Sequence, residues 1–207
     1  MFLSNRSVGG QFREPTGFFG RLFARRMNKR NKPLYQAAFR QMDIRPHDLI
    51  LEVGFGNGLS LQWLSGLASG GKVFGIDISL TMMKEAERIC RSLIRAGKIE
   101  ILQANSGSIP YPDDFFDKIC TINTIYFWDD PDKTANELRR VLKPSGRVFL
   151  SFRSKSHLQK YKHTRYHFRF YEPEEVEKLL ARNGFRDIRY IEENGKDGHF
   201  FSFAALK

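Results

Sequence analysis

Three glycines two residues apart, Gly54, Gly56 and Gly58, interrupt the stretch LEVGFGNGLSL at 51–61, with an apolar run before them and a helix-spaced apolar run after. A strand that ends in glycines and feeds a helix makes an anion site. The first helical amides point outward unpaired, the helix dipole favours negative charge there, and glycine lets a ligand approach the backbone closely. Asp77 ends the next apolar run, KVFGIDIS, nineteen residues after Gly58. A carboxylate in that place accepts two hydrogen bonds from a ribose diol. Its competing employment is to cap the following helix, a task for which Ser79 is equally suited. Strand, glycine turn, helix, strand and acid together form the nucleoside-binding half of a doubly wound sheet. The glycine spacing is G-x-G-x-G, whereas dinucleotide binders use G-x-G-x-x-G, so a nicotinamide-dependent dehydrogenase is the weaker reading.

The elements that must carry this constellation follow from periodicity. After residue 44 the chain alternates strand and helix: DLILEVG, a helix through GLSLQWLSGLA, KVFGIDIS, one long amphipathic helix LTMMKEAERICRSLIRAG, then IEILQAN. FDKICTINTIYF reads as a strand running into an aromatic cluster, and DPDKTANELRRVL as a helix stopped by Pro144 and Gly146 of KPSG. GRVFLSF is a fifth strand, EPEEVEKLLARNG a short helix, and FRDIRYIEEN with HFFSFAALK an antiparallel hairpin around NGKDG. Such alternation predicts an α/β fold: a doubly wound, mostly parallel seven-stranded sheet with helices on both faces and an antiparallel C-terminal edge hairpin.

Residues 1–43 stand apart from the domain at 44–207 as a basic helical lid. The segment TGFFGRLFARRMNKRNKPLYQAAFRQM is helical in pattern, with a break predicted near 31–33, and Phe18, Phe19, Leu22 and Phe23 share one face. A lid packed on the sheet domain and a basic helix lying on an anionic membrane are both compatible with this pattern. The charge of +11 is concentrated in two blocks: nine Lys/Arg against Glu14 alone in residues 1–40, and ten Lys/Arg with no acid in residues 138–171. Two such blocks predict a positive face for an anionic partner, either a small phosphorylated or carboxylated molecule, a membrane surface or, with less support, nucleic acid. No window approaches the ~20 apolar residues of a membrane span, and the N-terminus lacks an apolar signal region. Cys90 and Cys120 sit in apolar-periodic segments and read as free buried thiols of a cytoplasmic protein. No metal is called for.

With LEVGFGNG, GIDIS, ANSGSIPYPDDFFD and ELRRVLKPSGRVFLSF in this order, the sequence resembles the class I S-adenosylmethionine-dependent methyltransferases. The likeness covers roughly residues 44–190 and is greatest to the small-molecule branch that includes quinone-biosynthesis C-methyltransferases. It implies S-adenosylmethionine as cofactor. It implies that Glu52, Gly54, Phe55, Gly56 and Gly58 receive the methionine end, with Glu52 near the amino group. Asp77 would take the ribose, Ile78 would lie beside the adenine, and Ser106 would offer its amide to the ring. Asn105 stands where the family usually has Asp, and its carbonyl oxygen can accept the same hydrogen bond. Asn123 ends the fourth strand, where the family places residues near the sulfonium. An NPPY-type tetrapeptide is missing after that strand, which argues against methylation of nucleobase or glutamine amino nitrogens.

Methyl displacement needs alignment and exclusion of water more than acid–base work. Tyr126 is the preferred acceptor-site residue, with Phe127 and Trp128 as packing or as aromatic shielding of a sulfonium. The long connection RSKSHLQKYKHTRYHFRFYEP supplies His157, Tyr161, His163 and His167. His163 and His167 are the candidate bases, since imidazole titrates near neutral pH. The predicted activity is methyl transfer to a small anionic or membrane-associated acceptor. The alternatives are an RNA methyltransferase using the basic rim and a non-catalytic cofactor binder of the same fold.

Overall fold

The computed structural model describes residues 4–195 and 198–207; residues 1–3 and the Lys196 and Asp197 of the expected hairpin turn lie outside the described residues. The central sheet comprises β1 (Leu49–Val53), β2 (Lys72–Asp77), β3 (Ile99–Gln103), β4 (Phe116–Ile122), β5 (Leu142–Arg153), β6 (Arg186–Gly195) and β7 (Gly198–Leu206). Their order in space is β3-β2-β1-β4-β5-β7-β6. The first five strands run parallel to one another, and β7 pairs antiparallel with both β5 and β6. The chain winds outward from β1 to β3, then returns to begin again at β4 on the other side of β1. That reversal opens a crevice at the carboxyl ends of β1 and β4, where ligands bind in doubly wound sheets.

Alternation along the strands feeds two apolar layers. Leu51 and Val53 pack with α6 (Pro131–Val141) and α7 (Pro173–Arg182) on one face, through Ala135, Leu138, Val176 and Leu179. Ile50 packs on the other with α3 (Leu59–Leu67) and α4 (Leu80–Ile89), through Leu61, Leu64, Ala86 and Cys90. The fold class therefore matches the one read from periodicity. Among the described residues no helix is long and apolar enough to cross a membrane.

Three local expectations are corrected. The helix predicted to break at 31–33 is one helix, α2 (Gly17–Met42), which runs through Pro33. Leu34, Tyr35, Ala37 and Ala38 are buried against Ile122 and Phe200, and that burial outweighs the amide hydrogen bond a proline forgoes. The single helix predicted over 80–97 is two, α4 and α5 (Arg91–Arg95), divided at Cys90, whose thiol turns inward to the Gly58 carbonyl (3.2 Å). KPSG does not lie between elements. The helix stops at Val141 and β5 starts at Leu142, with Ser145 in the left-handed region (φ 66°) and a register shift against β4. A further helix, α1 (Asn5–Arg13), precedes α2 within the segment read as a helical lid. Gly9 seats it, since a methyl group there would stand 2.8 Å from the carbonyl oxygens of His163 and Tyr166.

Candidate active site

A cavity of ≈ 250 Å³ lies over the crevice between β1 and β4. Its floor is the loop after β1, the end of β2 and the turn after β4. Its roof is α1 and the first half of α2 together with the connection after β5. Gly54, Phe55, Gly56, Asp77, Ile78, Asn105, Ser106, Asn123, Tyr126 and His163 all line it. Glu52, Gly58 and His167 do not.

The three glycines hold three different places. Gly54 (φ 77°) passes so close to Thr124 that an added methyl would sit 2.4 Å from its Cγ2. Gly56 (φ 58°) meets nothing within 4 Å, so at this position the backbone itself faces the cavity. Gly58 is required by packing, because a methyl there would lie 2.7 Å from Ala86 Cβ of α4. Only the first two line the cavity.

Asp77 is buried at the tip of β2, where Oδ2 accepts from the Gly56 amide (2.9 Å) and Oδ1 from the Ser79 amide (2.9 Å). Ser79 takes the capping task instead, its Oγ accepting from Met82 N (3.2 Å). Burial pushes the Asp77 carboxyl up to about 6, against the lowering effect of its two amide donors. Glu52 lies fully buried on β1. Strand alternation turns it away from the cavity, into the layer of α2 and α3, where Ser60 Oγ donates to its Oε1 (2.8 Å). Burial first, and the Asp77 charge in addition, raise its pKa to about 8. Its Oε2 has no partner.

Asn123 follows β4 in the left-handed region (φ 59°). Its Oδ1 accepts from the Tyr126 hydroxyl (2.9 Å) and from the Arg153 amide (3.3 Å). The buried Nδ2 is left without a partner. Tyr126 is itself buried, with its phenol pKa driven upward by desolvation, and its hydroxyl also accepts from the Arg153 amide. The phenol thus orients Asn123 rather than acting as a base. Replacing Tyr126 by Phe should lower turnover about 10-fold, roughly one hydrogen bond's worth, and leave the affinity for S-adenosylhomocysteine within twofold. Equal turnover in a single-turnover assay would reduce the residue to packing.

Beyond Asn123 the wall is aromatic and basic. Phe12 stacks on His163 (4.8 Å between centroids, 1° between planes), and Phe168 packs on Phe127 at 4.7 Å and on Tyr126 at 5.5 Å. Arg30 stands over the Tyr161 ring (5.5 Å). Arg153 is buried and donates to the Arg30 carbonyl (2.5 Å). Burial, then the cations of Arg153, Lys160 and Arg30, depress the His157 imidazole to about 4. Burial and Arg30 lower His163 as well. Both rings are therefore neutral at neutral pH. His167 is exposed, in the left-handed region (φ 68°) with Tyr166 exposed beside it, and the 3₁₀ turn at Lys162–Arg165 carries both away from the cavity. Tyr35 and Arg153 line the cavity and were not singled out from sequence. A tyrosine in a helical repeat and an arginine at the end of an apolar strand carry no distinguishing pattern.

Residues 51–150 match the family described as a methyltransferase domain. The chain is 31% identical over 125 residues to the uncharacterized methyltransferase YdaC of Bacillus subtilis, covering 60% of this chain and 67% of that protein. It is 32% identical over 108 residues to the ubiquinone/menaquinone biosynthesis C-methyltransferase UbiE of Pectobacterium carotovorum, covering 52% of this chain and 43% of that one. The matches span about half the length of the quinone-biosynthesis relatives. A crystal structure of a SAM dependent methyltransferase from Aquifex aeolicus superposes with a TM-score of 0.70 at 26% identity, over 83% of this chain and 88% of that one. The chain belongs to the class I S-adenosylmethionine-dependent methyltransferases.

Proposed function

We propose that the protein transfers the methyl group of S-adenosylmethionine to a small anionic acceptor with an apolar, aromatic-sized body. The observation that carries this reading is the continuity of the cavity. One end is the Gly54–Gly56 backbone with Asp77, and the other is walled by Phe12, Phe127 and Phe168 and rimmed by Arg30, Arg153 and His157.

The residues present suit the cofactor. Gly56 leaves open space above its backbone while its amide is held by Asp77, Asp77 presents a carboxylate for a diol, and the buried Asn123 Nδ2 lacks a partner that a ligand would provide. In this reading Asp77 holds the ribose, Ile78, Asn105 and Ser106 border the adenine, and the 54–56 backbone receives the amino-acid tail. Glu52 stands behind the loop as a buried carboxyl that the ammonium of the cofactor tail would draw towards its charged form. When bound, the cofactor supplies an electrophilic methyl carbon on a sulfonium, open to direct displacement. The chain's part is to align the acceptor and keep water out, with α1 and α2 as the roof. Asn123 Nδ2 orients an acceptor oxygen or the cofactor tail. The neutral imidazole of His163 stands ready for the proton of a protonated nucleophile, whereas His157, depressed to about 4, is the poorer acceptor.

The test is to unfold the protein as isolated and weigh the released small molecules for S-adenosylmethionine, its demethylated product and the acceptor. Labelled-methyl transfer across matched pairs of carboxylates or phosphates and their neutral isosteres should then favour the anions at least tenfold in kcat/KM. No preference, or cofactor binding with no turnover on any acceptor, would overturn the reading. Arg30→Ala should raise KM for the anionic acceptor about 10-fold, near the ~1.4 kcal/mol expected of a partly solvated charge pair, without altering cofactor affinity.

A further inference from the structure

Four large apolar side chains stand in water on the outer side of the roof. Phe18, Phe19 and Leu22 in the first turns of α2 are 74%, 46% and 47% exposed, and Leu80, the first residue of α4, is 60% exposed. The two turns are tied side by side. The Gly17 amide donates to Thr81 Oγ1 (3.2 Å), and Arg21 pairs with Glu85 at 3.2 Å. The periodicity of α2 puts Phe23 on this same face, but the structure turns it inward against Phe12, with ring centroids 5.9 Å apart on the cavity wall. The cavity therefore accounts for Phe23 and leaves the other three apolar side chains uncovered.

From Leu80 the outer face of α4 and α5 continues at helical spacing through Lys84, Arg88, Arg91 and Arg95. These four cations line a shallow surface depression together with Glu87 and Ile94. The neighbouring acid Glu85 is taken up by Arg21 and Arg88. An apolar toe thus runs directly into a cationic stripe on one side of the molecule.

We propose that this side is a docking surface for an anionic lipid bilayer, with the apolar tips in the acyl boundary and the 84–95 stripe on the headgroups. Phe and Leu tips bordered by Lys and Arg are the composition of an interfacial anchor, and each cation near an anionic leaflet adds to the attraction. A single-stranded nucleic acid would match the cations and could stack on the phenylalanines, but it has no complement for Leu22 and Leu80. The seat lies on the outer face of α2, whose inner face lines the cavity, so docking would hold the roof of the site against the membrane. The proposal goes beyond methyl transfer and does not depend on which acceptor is used.

The experiment is co-sedimentation of the full chain with phosphatidylcholine vesicles, with and without phosphatidylglycerol, at low and high salt. Partition onto the phosphatidylglycerol vesicles alone, reduced by salt, is expected. Phe18→Ser with Leu80→Ser should reduce it about tenfold or more, and Arg91→Glu with Arg95→Glu should do the same. All four side chains are exposed, so an unchanged thermal midpoint and unchanged binding of S-adenosylhomocysteine are expected and show that the variants are folded. The proposal fails if anionic vesicles do not sediment the protein at low salt, or if the apolar double variant sediments as well as the parent. It fails equally if a single-stranded RNA oligomer binds in place of vesicles. A concentration-dependent dimer that the apolar variant disperses, with no vesicle binding, would assign the patch to a second copy of the chain instead.

Discussion

Replacing Asp77 by alanine should weaken the binding of S-adenosylhomocysteine about 30- to 1000-fold, or about 2–4 kcal/mol, the loss of two charge-assisted hydrogen bonds. Three features make this residue the expected weak point. It is buried at the tip of β2, so water cannot replace its oxygens. It holds the Gly56 amide at 2.9 Å and so sets the backbone that borders the cavity. It faces the cavity, with Ser79 relieving it of the capping task. Its carboxyl is raised to about 6 in the folded protein without ligand, so acid neutralises it before ordinary carboxylates. Affinity for S-adenosylhomocysteine in the parent should fall as pH drops through 6, and the alanine variant should lack that step. Titration calorimetry at pH 5 and pH 8 reads both effects. Unchanged affinity in a variant with a normal circular dichroism spectrum would show that the ribose lies elsewhere.

The second large effect concerns stability. Glu52→Gln should stabilise the ligand-free protein by on the order of 3 kcal/mol at pH 8 and by almost nothing at pH 4. The carboxyl is fully buried, one oxygen has no partner, and its pKa stands at about 8 against an ordinary 4.5. A folded-state pKa above the unfolded value means that the unfolded chain releases its proton first as pH rises. The contribution of Glu52 to stability is therefore full below 4.5 and is lost as pH climbs through 8. Asp77 acts in the same direction over the lower window from 3.8 to 6. Glutamine keeps the size and the Ser60 contact and removes the titration. Thermal midpoints of parent and variant should diverge steadily between pH 5 and pH 8. Parallel curves would mean that Glu52 titrates like an exposed acid. Adding S-adenosylhomocysteine above pH 8 should raise the parent's midpoint more than the variant's, because the ammonium of the amino-acid tail would offset the buried carboxylate.

The roles of the individual side chains were legible to different degrees. Gly54, Gly56 and Asp77 lie where the sequence puts them, because a strand, a tight turn and a strand end are local features. Glu52 and Gly58 belong to the same motif, yet one points into the α2–α3 layer and the other packs on Ala86. Motif spacing says which residues are near the loop but not which way each faces. Among the histidines, composition treats His157, His163 and His167 alike. The turn at Lys162–Arg165 directs His163 onto Phe12 and leaves His167 in solvent, which no linear pattern encodes. The unbroken α2 has the same origin: Pro33 signals a break locally, and the burial of its neighbours overrides it.

The sequence alone determined the alternation of strands and helices, the antiparallel ending, the glycine loop and the acid one strand away. Each of these depends on residues within a few turns of one another, where periodicity, glycine freedom and helix capping act. Tertiary structure decided the spatial order β3-β2-β1-β4-β5-β7-β6, and hence the crevice at β1 and β4. It also decided that two segments more than a hundred residues apart, around Phe12 and around His163, close over that crevice together. Long-range packing chooses among arrangements that local rules leave equal, because the apolar area it buries exceeds any single turn's preference.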